Sequence, residues 1–184
     1  MNVSVTAVDT ATFRRCVPQL VDIYLTAMNY PRSLRADRIH SWQVASTREH
    51  HQAVIALDQE TNRLVGCCWG VPGSPTSWWD HCVRSYTQRH PTELRQPASL
   101  LENYFELSEI HVLPAAQGHG VGKHMLQVFL SQITAPWVLL STPEVEHEAN
   151  AAFHLYRQFG FVDVLRNVTF SGDHRPFAIL GLQQ

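Results

Sequence analysis

The stretch ELSEIHVLPAAQGHGVGKHML, residues 106 to 126, does most to limit what this 184-residue chain can fold into. Alternating apolar positions in ELSEIHVL predict a strand. VGKHMLQVFLSQI predicts a helix, with Val121, Met125, Val128 and Phe129 on one face. Between them lie Gly118, Gly120 and Gly122. A strand, a short glycine turn and a helix form a unit whose first helical N–H groups have no intrahelical partner and point outward. Such a turn binds an anion, or it simply makes a tight corner; the pattern alone leaves both readings open. No Asp or Glu occurs from position 110 through 143, and Lys123 adds a cation, so no local carboxylate repels a phosphate.

Two nucleotide motifs fail on inspection. A P-loop needs glycine five residues before the Gly-Lys pair and a hydroxyl after it, but Gln117 and His124 stand there. A dinucleotide fingerprint beginning Gly118-x-Gly120 needs glycine at 123, which is Lys. What survives is the anion-binding geometry without the magnesium-nucleotide chemistry.

The rest of the chain predicts an α+β domain spanning residues 1 to 184. VSVTAV at 3 to 8 reads as a strand, and Asp9 or Thr10 offers a cap for a helix interrupted or restarted at Pro18. Leu20, Ile23, Tyr24 and Met28 form its stripe. RADRIHSWQVASTREHH predicts a second helix, and AVIALDQETNRLVGCCWGVP a hairpin turning at 59 to 62. A long connection follows at about 73 to 104, with one helix starting near Ser77; loops of that length are usually functional or partly disordered. WVLLST reads as a buried strand, NAAFHLYRQFGF as a helix stopped by Gly160, and FVDVLRNVTF with PFAILGL as a closing hairpin. The order is β α α β β, insert, β α β α β β, a mixed sheet flanked by helices.

Composition narrows the partners. Of the residues, 45% are hydrophobic and 16% charged, and the formal net charge of −2 makes no electrostatic case for nucleic acid. No window approaches the roughly 18 apolar residues of a membrane span, and the N-terminus lacks a signal-peptide pattern, so a soluble, cytoplasmic protein is expected. Cys16, Cys67, Cys68 and Cys82 fit no C-x-x-C spacing and read as thiols in a reducing compartment. His50, His51, His81 and His90 form no metal-binding grid, so no metal is expected.

The central stretch resembles motif A of the GNAT superfamily of acyl-CoA N-acyltransferases. The signature [QR]-x-x-G-x-[GA] is met by Gln117, Gly118, His119, Gly120, Val121 and Gly122, preceded by the strand ending Ile110-His111-Val112-Leu113-Pro114. LYRQFGF resembles the family's second hallmark, a Leu-Tyr-x-x-x-Gly-Phe helix end, and the element order matches as well. The resemblance thins at the insert, where the family has a short connection. Elaborations with a Trp pair like this one are seen in bacterial, especially actinobacterial, members.

The resemblance implies a GNAT fold: a mixed, mostly antiparallel central sheet with its fourth and fifth strands splayed. The implied activity is transfer of acetyl from acetyl-CoA to a primary amine by direct attack in a ternary complex. The coenzyme pyrophosphate would lie on the N–H groups of Gln117 to Gly122, with Lys123 nearby. Pantetheine would pair with the backbone of Ile110, His111 and Val112, the Ile110 N–H polarising the thioester carbonyl. An alkyl ammonium is only about 0.04% neutral at pH 7, so a base is needed. Glu106 matches the family's strand-borne base and is preferred over Glu109, with His111 or a water chain as further alternatives. Tyr156 stands at the general-acid position for the leaving thiolate, though its place in an apolar stripe equally suits a core tyrosine. Asn150 is a candidate helix cap and, by resemblance, a coenzyme contact.

Trp78 and Trp79 either line an acceptor pocket or anchor the insert as a small satellite core. The insert balances Asp80, Glu93 and Glu102 against Arg84, Arg89 and Arg95, which favours neither charge of substrate. A small-molecule amine is the preferred acceptor because a folded-over insert narrows access; a protein lysine or N-terminus is the alternative, and the family commonly forms dimers. A catalytically silent acyl-CoA sensor and an ATP-binding protein are the rival classes.

Overall fold

A computed structural model describes residues 1–184. The chain divides into two compact units: Met1–Val71 with Leu107–Ile133, and Pro72–Glu106 with Thr134–Gln184. The first holds β1 (Val3–Val8), α1 (Thr10–Ala27), α2 (Arg35–Ala45), β2 (Gln52–Asp58), β3 (Arg63–Pro72, but for its last residue), most of β4 (Phe105–Val112) and α4 (Val121–Leu130). β1, β2 and β3 are antiparallel, with Val5 opposite Ala56 and Val54 opposite Cys68. The hairpin turns at the expected residues because Asp58 accepts from the Glu60 N–H and the Thr61 hydroxyl. Asn62 takes the left-handed conformation there, which asparagine tolerates.

α1 departs from expectation at Pro18, where it neither stops nor restarts but runs through. A mid-helix proline costs roughly 3 kcal/mol. Here Phe13, Val17, Leu20, Val21 and Tyr24 are all buried on either side of it, and that continuous apolar face offsets the lost bond. Asp9, of the two residues considered, is the cap, accepting from the Thr12 N–H at 2.7 Å. α2 ends at Ala45, short of the predicted stretch, because the Ser46 and Thr47 hydroxyls bond the carbonyls of Gln43 and Val44 and close the helix. α4 likewise ends early, where Ser131 and Gln132 side chains bond the Val128 carbonyl. Its buried face is Val121, Met125, Leu126 and Phe129, with Leu126 rather than Val128 at the centre.

The second unit holds α3 (Trp78–Arg89), the first two residues of β4, β5 (Trp137–Pro143), α5 (Ala151–Gln158), β6 (Val162–Thr169) and β7 (Pro176–Gln183). Phe105 and Glu106 pair in parallel with Val138 and Leu139. β7 runs antiparallel to both β5 and β6. Strand order is β1-β2-β3-β4-β5-β7-β6, so β4 is the strand that both units share. Bonds from Leu113 N–H to Val65 O and from Gly73 N–H to Tyr104 O, at opposite ends, make β3 and β4 antiparallel. The sheet is therefore mixed and mostly antiparallel, as the resemblance implied.

The insert is ordered by its own chemistry. Ser77 caps α3 by accepting from the Asp80 N–H, and Trp79 and Val83 enter a core with Leu101, Tyr104, Val164 and Ile179. No helix is long and apolar enough to cross a membrane. All four cysteines are free thiols.

Candidate active site

In the first unit, β4 leads through a short 3-10 turn, Pro114–Ala116, into the glycine segment. Gln117 holds this corner by donating from Nε2 to the Val112 carbonyl at 2.9 Å. Gly118 and Gly120 then take φ of 76° and 77°. A Cβ built on either meets nothing within 4 Å, so glycine is needed here for its left-handed backbone, and the outer side of the turn is open.

Gly120 is the N-cap of α4 and supplies no capping side chain. The first N–H groups of a ten-residue helix are thus left to whatever lies in front of them. His119, Lys123 and His124 are exposed around this end, and a recess of about 120 Å³ opens beside it, lined by Val3, Val5, His119, Gly120, Val121 and His124. A positive helix end without a cap or a neighbouring carboxylate suits a phosphate or pyrophosphate.

β4 itself carries Glu109, Ile110, His111 and Val112, all half-buried. Glu109 and His111 share one face and meet, Oε2 to Nε2, at 2.6 Å. From α1 the Tyr24 ring stands edge-on to the His111 ring at 5.0 Å. Gly66 on β3 permits this close packing, since a Cβ there would come within 3.0 Å of the His111 carbonyl and 2.9 Å of Met125 Cε. Beside the pair, burial pushes the Cys67 thiol well up, reinforced by the Glu109 charge, so it is no nucleophile.

In the second unit, Glu106 is half-buried at the start of β4. Two residues earlier, the Tyr104 hydroxyl donates to Asp80 at 2.6 Å, and burial followed by this bond pushes its phenol far up. Asp80 is fully buried and also takes a two-point bond from Arg84. Gly73 lies flat against the Tyr104 ring, where any side chain would collide.

α5 begins at Asn150, whose Oδ1 accepts from the Phe153 N–H at 2.8 Å. Tyr156 is 6% exposed, with its ring 5.7 Å from that of Phe161. Arg157 next to it grips Glu148 before the helix and the Phe161 carbonyl and Asp163 after it. Arg166 joins Glu144, Glu148 and Asp163. Hydrogen bonds from Arg166 and Arg157 hold Glu144 and Glu148 below the usual carboxylate range; Asp163 is also held low by these arginines against its burial.

The tryptophan pair divides. Trp79 is buried and its indole N–H donates to Ser141 at 3.2 Å, whereas Trp78 is 58% exposed and packs on Phe170. No group of three or more His, Cys, Asp or Glu is arranged to hold a metal ion. Sequence reasoning missed three associations: Glu109 with His111, Asp80 with Arg84 and Tyr104, and the clamp around α5. The first two left a signal in the i, i+2 strand spacing and the i, i+4 helix spacing; the third left none.

Comparison with known proteins gives a consistent picture. Residues 49–163 match the family described as acetyltransferase (GNAT) domain. The chain is 37% identical over 179 residues to the GCN5-like protein acetyltransferase Rv2170 of Mycobacterium tuberculosis, covering 86% of this chain and 87% of that one. A GNAT-family structure from Desulfovibrio desulfuricans superposes with a TM-score of 0.65 at 13% identity, covering 99% of both chains. The yncA structure from Salmonella typhimurium, which holds its cofactor acetyl-CoA, gives 0.63 at 14%, covering 100% of this chain and 94% of that one.

Proposed function

Because the chain belongs to the GNAT acetyltransferase family and so acts with acetyl-CoA, we propose that it moves the acetyl group to a primary amine by direct attack in a ternary complex. The observation that carries the reading is the uncapped N-terminus of α4 behind two left-handed glycines. That turn offers backbone N–H groups to the pyrophosphate, with Lys123 as a supporting charge. Ile110 and Val112 offer backbone groups to pantetheine, and the Ile110 N–H polarises the thioester carbonyl.

Each turnover consumes an ammonium and an acyl thioester and yields an amide, a thiol and one proton. A base takes the first proton from the ammonium; β4 offers Glu106 and Glu109 for this. The neutral amine adds to the carbonyl carbon, and collapse of the adduct breaks the C–S bond. Tyr156 then gives a proton to the leaving thiolate and is recharged from the amide nitrogen. A thiolate is a tolerable leaving group, so Tyr156→Phe slows turnover about tenfold or more without abolishing it. Trp78 is the insert residue left for acceptor contact, since Trp79 is committed to its own core.

A small-molecule amine is one acceptor; an amine on a protein is the second reading, favoured by the name of the mycobacterial relative. A cytoplasmic setting belongs to the same reading, in keeping with four free thiols. The test is release of free CoA over small amines and lysine peptides, with mass spectrometry of the products. An N-acetyl product with the Tyr156→Phe loss supports the proposal. Tight acetyl-CoA binding with no turnover on any amine replaces it with a silent acyl-CoA-binding module.

A further inference from the structure

A cleft of about 570 Å³ opens within the first unit between α1, the β2–β3 turn and the 3-10 turn that follows β4. Its floor is apolar: Ile23 from α1, Leu64 and Val65 from β3, and Leu113 and Ala116 beyond β4. A bulge shapes that floor. Ala56 pairs with Gly66 and Leu57 with Leu64, so Val65 has no residue opposite it on β2. The Leu113 N–H bonds the Val65 carbonyl at 2.8 Å and ties the bulge to the chain leaving β4. A hollow of this size, with an apolar floor and a few polar groups at its edge, suits a small organic ligand.

The polar edge says which kind. Asp22 takes two bonds from Arg35, and Asp58 accepts from the Glu60 N–H and the Thr61 hydroxyl inside the turn. An ammonium entering the cleft therefore finds both carboxylates engaged. Arg63, Asn62 and Gln19 also line it; all three are exposed, and their side chains bond nothing else in the protein. Arg63 stands opposite Asp58 in the hairpin but forms no ion pair with it, the turn donors holding that carboxylate instead. With Arg32, whose charge reaches Asp22, the three guanidinium groups of Arg32, Arg35 and Arg63 face two carboxylates, a balance of one positive charge. A free guanidinium beside amide donors is a natural partner for a carboxylate.

We propose that the cleft is a second ligand site, apart from the coenzyme's, and that it takes a small aliphatic carboxylate. The head meets Arg63, with Asn62 and Gln19 as further donors, and the chain lies on Ile23, Val65 and Leu113. None of residues 117 to 123 lines the cleft, so the glycine turn stays open to acetyl-CoA while the site is filled.

The experiment is a titration of the isotope-labelled full chain, followed by amide NMR, with hexanoate, hexanamide and hexylamine as probes, each with and without saturating acetyl-CoA. Hexanoate should shift the amides of Ile23, Leu64, Val65 and Ala115 saturably, and hexanamide and hexylamine should bind about tenfold more weakly or not at all. Arg63→Gln should lose about tenfold in hexanoate affinity, Arg63→Lys, which keeps the charge, should lose less, and Gln19→Glu should weaken binding by repulsion. Amides elsewhere stay in place in each variant, which separates lost binding from lost fold. The assignment is overturned if hexylamine binds at least as well as hexanoate, if Arg63→Gln stays within a factor of two of wild type, or if no saturable shift appears by about 20 mM. Displacement of hexanoate by acetyl-CoA also overturns it, because the probe would then occupy the coenzyme site. The titration reads no turnover, so its outcome is independent of whether any amine is acetylated.

Discussion

The glycine turn before α4 and the charged clamp around α5 solve the same problem, fixing a helix in its place, with opposite materials. The turn spends no charged side chain on its own structure: two left-handed glycines and one glutamine bond shape it. The clamp needs Arg157 and Arg166 against Glu144, Glu148 and Asp163, and the insert beside it adds a fully buried Asp80. A backbone device fails locally when its φ is disturbed. A side-chain device fails as a unit, because each lost partner strands a charge.

The sharpest way to break the contrast is Asp80→Ala. It strips the buried Tyr104 hydroxyl and the part-exposed Arg84 of their shared carboxylate, and losing a buried partner held by several bonds costs about 3 kcal/mol or more. Urea unfolding of the full chain reads this directly. A loss below about 1 kcal/mol would falsify the view that the insert depends on its charged cluster.

A buried histidine offers the next largest effect, because His51 lacks what Asp80 has. Neither of its ring nitrogens finds a partner; it packs on Phe13 and Trp69, and burial lowers its pKa to about 4. The unfolded chain therefore binds a proton that the folded chain refuses. Stability is intact above about pH 6.5 and falls as pH drops toward 4, by roughly 3 kcal/mol in all. Glu144, Glu148 and Asp163 have depressed values, so their contribution is intact above the ordinary carboxylate range and is lost from that range downward as pH falls toward the depressed values. Unfolding free energies between pH 7 and 4 in the wild type and His51→Leu separate the two windows. A slope that survives the substitution assigns it to another group.

These two materials also explain what could be read from the chain. Strand, glycine turn and helix are contiguous, so their periodicity and the residues Gln117, Gly118 and Gly120 announced the corner and the uncapped helix start behind it. The paired tryptophans were equally visible, yet their division into buried Trp79 and exposed Trp78 depended on Ser141, 62 positions away. Arg166 and Glu144 are 22 apart and Arg95 and Asp163 are 68 apart, and no local pattern links such pairs. Pro18 misled for a related reason: the local rule stops a helix, and the tertiary burial that overrides it is not local.

Gly120→Val tests the backbone device. Valine at φ 77° is strained by about 1–2 kcal/mol, and relief of that strain turns the N–H groups of the loop away from the ligand. Space is not at issue, since a Cβ there meets nothing. The fold should persist while acetyl-CoA binds about 100-fold more weakly by calorimetry, equivalent to ~2.7 kcal/mol. Unchanged affinity would mean that the turn is only a corner.

The smallest effect is the one that tells a cap from a contact. Asn150 follows a 3-10 turn, is itself extended at the start of α5 and accepts from the Phe153 N–H, so Asn150→Ala should destabilise the chain by about 1 kcal/mol. Asn150→Asp keeps the acceptor and adds a negative charge at the helix N-terminus, which restores the stability. The same change places an anion where the resemblance puts a coenzyme contact. If Asn150 only caps, both variants bind acetyl-CoA as the wild type does, and only the alanine protein melts early. If it also touches the coenzyme, the aspartate variant is stable yet binds more weakly, and the deficit shrinks at high salt as the repulsion is screened. The clamp from Arg157 to Glu148 lies just outside this cap, so Asn150→Ala should loosen α5 without releasing it.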